Sequence, residues 1–505
     1  MDAGNRDGSA LESASTCPSE TSSSNLARPA VLRLLRPYIA VLSIVAGISF
    51  PFIAVSACDA SYRGDITTFI RWAEHLGNGT PTVYETDANY PVFGILTSAG
   101  AAGWLQRHFG SAHEAFDAVA AFREYLAGWN AVLFLLLGGL ATLIRLRMPW
   151  TIALLVSVIP SSWVGSALWG QIDGITQCLL MAPLVATALL FRQVGQARLG
   201  PALVANSLSF LLLGLALLTK QLSVFSAPLL TVFVTVGAMR IAARWKGIGF
   251  ALAVASTLVP LGLCFALDRA WPVPAGYHGS SAFYIWMGGG SDHANIIGNG
   301  VNVWQLLGRD ANSRSSEPFS SFMLGATNIE LTPSQCGKVL FLAVSLLIAI
   351  LWVRSLKRGR SLVQAFWSFG GRDLERTIAT TLIAIGMHNL AMTLLLCGIH
   401  ERYLYHGYVF LLLGSIAIHQ KSIGRVSWRI PVSVILGAAC YGGFVFSNMA
   451  PLPGLLFPLR RNEFLVALHV VLLVVLADVL WKTGRADSRR DAEGSPDRAV
   501  SAAAA

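Results

Sequence analysis

The residues of this chain suited to chemistry are few, and each stands where an apolar stretch ends. Asp65 opens the run Gly64-Asp65-Ile66-Thr67-Thr68-Phe69-Ile70-Arg71-Trp72. A carboxylate there is suited either to take a proton from a hydroxyl or to cap the helix that follows. Trp169-Gly170-Gln171-Ile172-Asp173-Gly174 joins two apolar segments, and Gln171 and Asp173 are placed to cap the second. Thr219-Lys220-Gln221 ends another segment. Its lysine is placed either to snorkel to headgroups or to hold a phosphate. His400-Glu401-Arg402-Tyr403 sets three ionisable side chains in a row between apolar helices. So near lipid, such groups face a water-filled cavity or neutralise one another. A long polar segment, Asp268 to Ser334, holds Trp286, Gly288-Gly289-Gly290 and Asn302-Val303-Trp304, in the manner of a lid or a binding surface.

The elements that must position these groups are membrane-spanning. Of 505 residues, 54% are hydrophobic and 13% charged, which excludes an ordinary soluble domain. Apolar runs of spanning length recur along the chain, and in hydrocarbon they must be helices, because the backbone finds no water to bond. This predicts an all-α, polytopic transmembrane protein of about 12 spans. They lie near 39–56, 124–144, 151–168, 173–191, 203–219, 224–239, 248–267, 337–353, 376–398, 404–418, 430–447 and 464–481. Val92 to Gln106 is short, rich in Gly and Ala, and opens after Pro91, so it is expected at the interface without crossing. That choice puts Arg145/Arg147, Arg192/Arg198, Arg240/Arg244/Lys246 and Lys421/Arg425/Arg429 in the cytosol, as the positive-inside rule prefers. Both termini are then cytosolic, and all the motifs above lie on the opposite, outer face.

The expected organisation is a polar tail over 1–30, a transmembrane domain over 31–481 and a second tail over 482–505. Within the domain, 57–123 is a first outer loop and 268–336 a long outer loop. No cleavable signal peptide is expected, the first apolar run serving as anchor. In the first outer loop Ile66, Phe69, Ile70 and Ala73 recur at helical spacing, flanked by Trp72 and Leu76, which predicts an amphipathic helix lying on the membrane.

Several classes are excluded or disfavoured. The net charge of +10 follows the topology, so no nucleic-acid partner is expected. Seven cysteines show no CxxC spacing, which argues against a thiolate metal site, although Cys58 and Cys336 fall on the same side and could pair. His400-Glu401 is not a zinc-protease motif, since position 404 is Leu. The three glycines lack a following GK[ST] and so make no P-loop. No soluble stretch is long enough for a nucleotide-binding Rossmann domain.

Taken in order, GDITTFIRWAEHL…VYETDANYP, WGQID, TKQLSVFSAP, NVW and HERYLY resemble the motifs of GT-C membrane glycosyltransferases. The chain looks most like bacterial proteins similar to the second mannosyltransferase of GPI-anchor synthesis, and more distantly like the ER glucosyltransferases that use dolichol-phosphate-glucose. The resemblance covers residues 38 to 480. It implies inverting transfer of a hexose, mannose by the nearest resemblance, from a polyprenyl-phosphate donor to a lipid-linked or cell-envelope glycan acceptor. The reaction would take place on the outer face of a bacterial inner membrane.

In that resemblance Asp65 is the general base on the acceptor hydroxyl. Lys220, His400 and Arg402 are the donor-phosphate ligands, with Glu401 orienting Arg402 or His400. Trp72, Tyr84, Tyr90, Gln171, Asp173, Gln221, Trp304 and Tyr403 are supporting or substrate contacts. Relatives read Asp-Tyr-Pro-Pro where this chain has Asn89-Tyr90-Pro91-Val92, so either Asp87 supplies the displaced acid or the second acidic group is dispensable. With no paired DxD, neither metal nor other cofactor is expected. The competing class is a transporter or flippase of lipid-linked sugars. Such proteins place ionisable groups at the bilayer midplane, often in repeats. No repeat is visible here, and His388 and Asn389 are the main polar interruptions of a midhelix, lining the cavity or packing on a neighbouring helix.

Overall fold

The structure is a computed structural model that describes residues 24–57, 64–77, 90–109, 114–270, 297–298, 301–307, 313–324, 327–357, 374–400, 403–421, 423, 426–449 and 462–493. Tyr84, Asp87, Trp286, Gly288 to Gly290, Glu401, Arg402 and Cys58 lie outside the described residues. The protein is a polytopic helical membrane protein. In chain order its helices are α1 (Ser24–Ala57), α2 (Gly64–Gly77) and α3 (Val92–Ile95, a π turn Leu96–Gly100, then Ala101–Phe109). Next come α4 (Glu114–Leu143), α5 (Pro149–Val158), α6 (Asp173–Gly195), α7 (Leu199–Leu217) and α8 (Ala227–Ala270). The last are α9 (Pro333–Lys357), α10 (Leu374–Leu395), α11 (Tyr405–Gln420), α12 (Arg429–Met449) and α13 (Asn462–Glu493). Among the described residues there are four short strands: β1 (Ile297–Gly298), β2 (Ser320–Leu324), β3 (Thr327–Leu331) and β4 (Ile399–His400).

Each apolar segment expected from sequence is helical, but the count of clear spans differs. Among the described residues nine helices are long and apolar enough to cross a membrane, against the expected twelve or so. One of them, α8, has 44 residues and takes in two expected spans, with the backbone turning at Lys246 (φ 45°, ψ −152°). The expected span at 151–168 is broken instead. Helix α5 stops at Val158, Ile159 is extended, Pro160–Ser162 makes a 3-10 turn, and a π turn Val164–Leu168 follows. Pro160 explains the break, because it lacks the N–H a continuing helix needs. Helix α11, with 16 residues, is shorter than a full hydrocarbon crossing. Helix α3 is not among the nine.

Packing sorts the helices into a core and a rim. Helix α10 is buried along nearly all its length and α11 along most of it. Gly386 and Gly407 face each other where these two cross, and a Cβ on Gly386 would come 2.9 Å from the Gly407 carbonyl oxygen. Helix α6 packs on α4, α7 and α8, and α13 packs on α9 and α10. By contrast Ile248, Phe250, Leu258, Leu263 and Phe265 of α8 and Val339, Leu342, Leu346 and Ile350 of α9 are exposed. A bilayer covers such faces. Polar ties cross the apolar interior: the Asn206 amide donates to Ser256 Oγ (2.9 Å), and Tyr408 Oη lies 2.7 Å from His469 Nε2.

Helix α2 departs from expectation in what covers it. Ile66, Phe69 and Trp72 are buried against α3 and α4, so its apolar face packs on protein rather than lying in lipid. Phe69 packs on Phe122 of α4 with the rings tilted and their centroids 5.7 Å apart. Cys336 is a free thiol, which removes it from the candidate disulfide.

Candidate active site

The site gathers at the end of the bundle where α6 and α11 begin and α7 and α10 end. Helix α6 is started by Ser166, not by Gln171 or Asp173. Ser166 Oγ accepts the Gly174 N–H at 3.0 Å and lies 3.3 Å from the Gln171 carbonyl oxygen, to which it donates. The residue at the cap position, Ile172, makes no side-chain cap. This corrects the capping role expected of Gln171 and Asp173, whose side chains are left for other partners.

Those partners come from elements far apart in sequence. Gln171 Oε1 accepts the Tyr90 hydroxyl at 2.7 Å and the Lys220 ammonium at 3.1 Å. Lys220 also donates to Asp173 Oδ1 at 2.6 Å, and its Nζ lies 5.6 Å from the Tyr90 ring centroid. Asp173 Oδ1 takes a second donor, His406 Nε2, at 3.0 Å, while His406 Nδ1 lies 3.0 Å from Gln177 Oε1. Lys220 is 3% exposed, Asp173 1% and His406 0%, so this is a buried ion pair with hydrogen-bonded neighbours. The snorkelling role for Lys220 is thereby overturned, since its charge is spent inside the protein.

Local structure explains why Lys220 stays there. After α7 the chain becomes extended at Lys220 (φ −152°, ψ 143°) and then enters the 3-10 turn Gln221–Phe225. Gly94 of α3 donates its N–H to the Leu218 carbonyl at 2.9 Å, and Ser223 Oγ donates to the Lys220 carbonyl at 2.7 Å. Further along, the His388 ring bonds the Phe225 carbonyl and Asn389 donates to Ser226 Oγ at 2.9 Å. The two midhelix polar residues of α10 therefore anchor the strap that carries Lys220.

Asp65 lies inside the first turn of α2, half-buried, and not before the helix as an N-cap would. Its neighbour Ile66 packs on the Trp169-Gly170-Gln171 turn. Gly170 has φ +81°, and a Cβ there would sit 2.3 Å from Ile66 Cγ1. Both the left-handed backbone and this close approach demand glycine. We expect Gly170→Ala to lower stability by about 1–3 kcal/mol and to move the start of α2, read by thermal unfolding in lipid nanodiscs beside the parent protein. Behind Tyr90 stand Trp72 (edge-on, centroids 5.4 Å apart) and Phe69 (5.9 Å). Trp72 is thus a wall of the site whose ring is buried.

The remaining candidates are placed as follows. Gln221 begins the 3-10 turn beside Lys220. Tyr403 packs against Leu222 and Met392, on which Phe225 of the strap also packs. The backbone of His400 pairs with Gly298 in a parallel β1·β4 contact, and the Leu404 N–H donates to the Tyr441 hydroxyl at 3.2 Å. Trp304 stands at the end of α10. Its indole N–H donates to the Leu395 carbonyl at 3.1 Å and Asn302 donates to that of Leu396, so Asn302-Val303-Trp304 closes the end of α10. Among the described residues no three metal-ligating side chains converge.

Sequence reasoning missed His406 and Gln177. Gln177 stands four residues after Asp173, on the same helical face, and His406 is an ionisable residue inside an apolar helix; both signals were available.

No protein-family model matches the chain, and no curated protein matches it. Among solved structures it is similar to the Archaeoglobus fulgidus oligosaccharyltransferase in its apo form, at 11% sequence identity and a TM-score of 0.35. The match covers 92% of this chain and 58% of that one, so this chain spans less than two thirds of that protein's length. A likeness at that level carries no weight for function.

Proposed function

We propose that this protein is a GT-C membrane glycosyltransferase. It moves a hexose, mannose by first choice, from a polyprenyl-phosphate donor to a lipid-linked or glycan acceptor on the outer face, with inversion. The observation that carries the reading is convergence. Four separate stretches meet: Tyr90 and Lys220 bond the Gln171 amide oxygen, Lys220 also pairs with Asp173, and Ile66 of the Asp65 helix packs on Gly170, next to Gln171. Asp65 serves as the base: an acceptor alcohol is a poor nucleophile until a nearby carboxylate takes its proton. The departing phosphate needs positive charge, not a proton.

The burial of the Lys220–Asp173 pair refines that division of labour. Its charge is matched at 2.6 Å, so Lys220 offers a fixed local dipole at the donor site, and the net positive charge for the phosphate falls to Arg402 with His400. Tyr403, which follows them in the chain, packs on the Leu222/Met392 cluster beside the strap. Transfer runs without a metal ion in this reading.

The test is transfer by purified protein in lipid. A panel of labelled polyprenyl-phosphate sugars is offered with crude lipid or glycan acceptors, with and without chelator. Donor-dependent, chelator-resistant transfer is expected. Movement of a labelled donor across the bilayer with no transfer from any donor would make the protein a flippase instead.

A further inference from the structure

We infer that His406 is a positioning residue of this site, setting the place of the Lys220 ammonium through the shared oxygen of Asp173. The kinetic half of this inference rests on the glycosyltransferase reading; the structural half does not.

Asp173 Oδ1 is a hub with two donors, Lys220 Nζ at 2.6 Å and His406 Nε2 at 3.0 Å, while Oδ2 is buried without a hydrogen-bond partner. One of the two donors is the end of a flexible four-carbon stem, and the other is a rigid ring. The ring is itself clamped. Its Nδ1 faces the Gln177 amide, one turn along α6 from Asp173, and its edge meets the Tyr405 ring with centroids 5.4 Å apart. In one amide orientation Gln177 Nε2 is buried and unbonded. Turned over, that Nε2 would face His406 Nδ1 as a donor, leaving the ring's Nε2 to serve Asp173. His406 therefore decides where Oδ1 points, and Oδ1 with Gln171 decides where the ammonium rests. A displacement of the order of an ångström in a reacting-site group costs about 10²-fold in rate.

Replacing the ring tests this. His406→Gln keeps a donor that reaches Asp173 from the position of Nε2, and His406→Leu keeps bulk without a donor. We expect His406→Leu to lower kcat about 10- to 100-fold with the donor KM changed less than about threefold. His406→Gln should restore most of the loss. Equal losses in the Leu and Gln variants overturn the inference. A substrate-free arm separates its failure from failure of the functional reading. Thermal unfolding in nanodiscs of the parent, His406→Leu, Lys220→Met/Asp173→Asn and the triple variant should be non-additive, and additive shifts overturn the inference whatever the transfer assay reads. If the parent protein transfers nothing, the functional reading fails, and the unfolding cycle alone decides the triad.

Discussion

Asp65→Asn should abolish sugar transfer, a loss of about 10²- to 10⁴-fold in kcat, while the unfolding temperature in nanodiscs stays within a few degrees of the parent. The two halves of that expectation have different causes. Asparagine matches aspartate in shape but takes no proton from an acceptor hydroxyl at the reacting pH. For stability, the carboxylate lies in the first turn of α2, where its charge favours the helix dipole by about 0.3–1 kcal/mol. The fold around it is held by other groups: Ile66 against Gly170, and Phe69 and Trp72 against Tyr90. A purely structural role therefore predicts a small change in both measurements. Retained transfer in a well-folded variant removes Asp65 as the base, and another carboxylate must then be sought.

The helices were legible because a lipid-exposed backbone leaves them no alternative, so length and apolarity sufficed for most segments. What the sequence hid was local and polar. The break after Val158 follows from Pro160, but an 18-residue apolar stretch containing a proline reads as one span until the turn at 160–162 is seen. The face of α2 reads the same whether lipid or protein covers it, since both reward the burial of Ile66, Phe69 and Trp72. At the site, Gln171 and Asp173 stand where caps stand, and sequence cannot tell that Ser166 has taken that work. Trp304 has a structural task that its place in an outer segment does not reveal: its N–H bonds the Leu395 carbonyl. His406 was overlooked because it lies among Tyr405, Tyr408 and aliphatic residues, and its partner Asp173 is distant in sequence. Each of these is a tertiary fact, fixed by what lies across the bundle and not by the neighbours along the chain.

Breaking the buried ion pair should have the largest effect on stability, and its reversal should distinguish structure from function. Lys220→Met leaves Asp173 ionised, 1% exposed and served by His406 alone. Removing one partner of such a pair costs about 3–5 kcal/mol, because the survivor keeps its desolvation penalty and loses the attraction that offset it. Asp173→Asn in the parent leaves the opposite charge stranded and should be destabilising in the same range, tempered by the hydrogen bond Lys220 keeps with Gln171 Oε1 at 3.1 Å. The double variant Lys220→Met/Asp173→Asn carries no charge in the cluster. Its thermal unfolding should recover most of the loss seen in either single variant, since apolar or neutral replacements of a buried pair are often nearly neutral. Transfer should not recover with it. If the double variant is as unstable as the sum of the singles, the pair is more solvated than its burial indicates. If it regains both stability and transfer, Lys220 and Asp173 are scaffolding, and the site must be rebuilt around Asp65, Tyr90 and the His400 to Tyr403 segment.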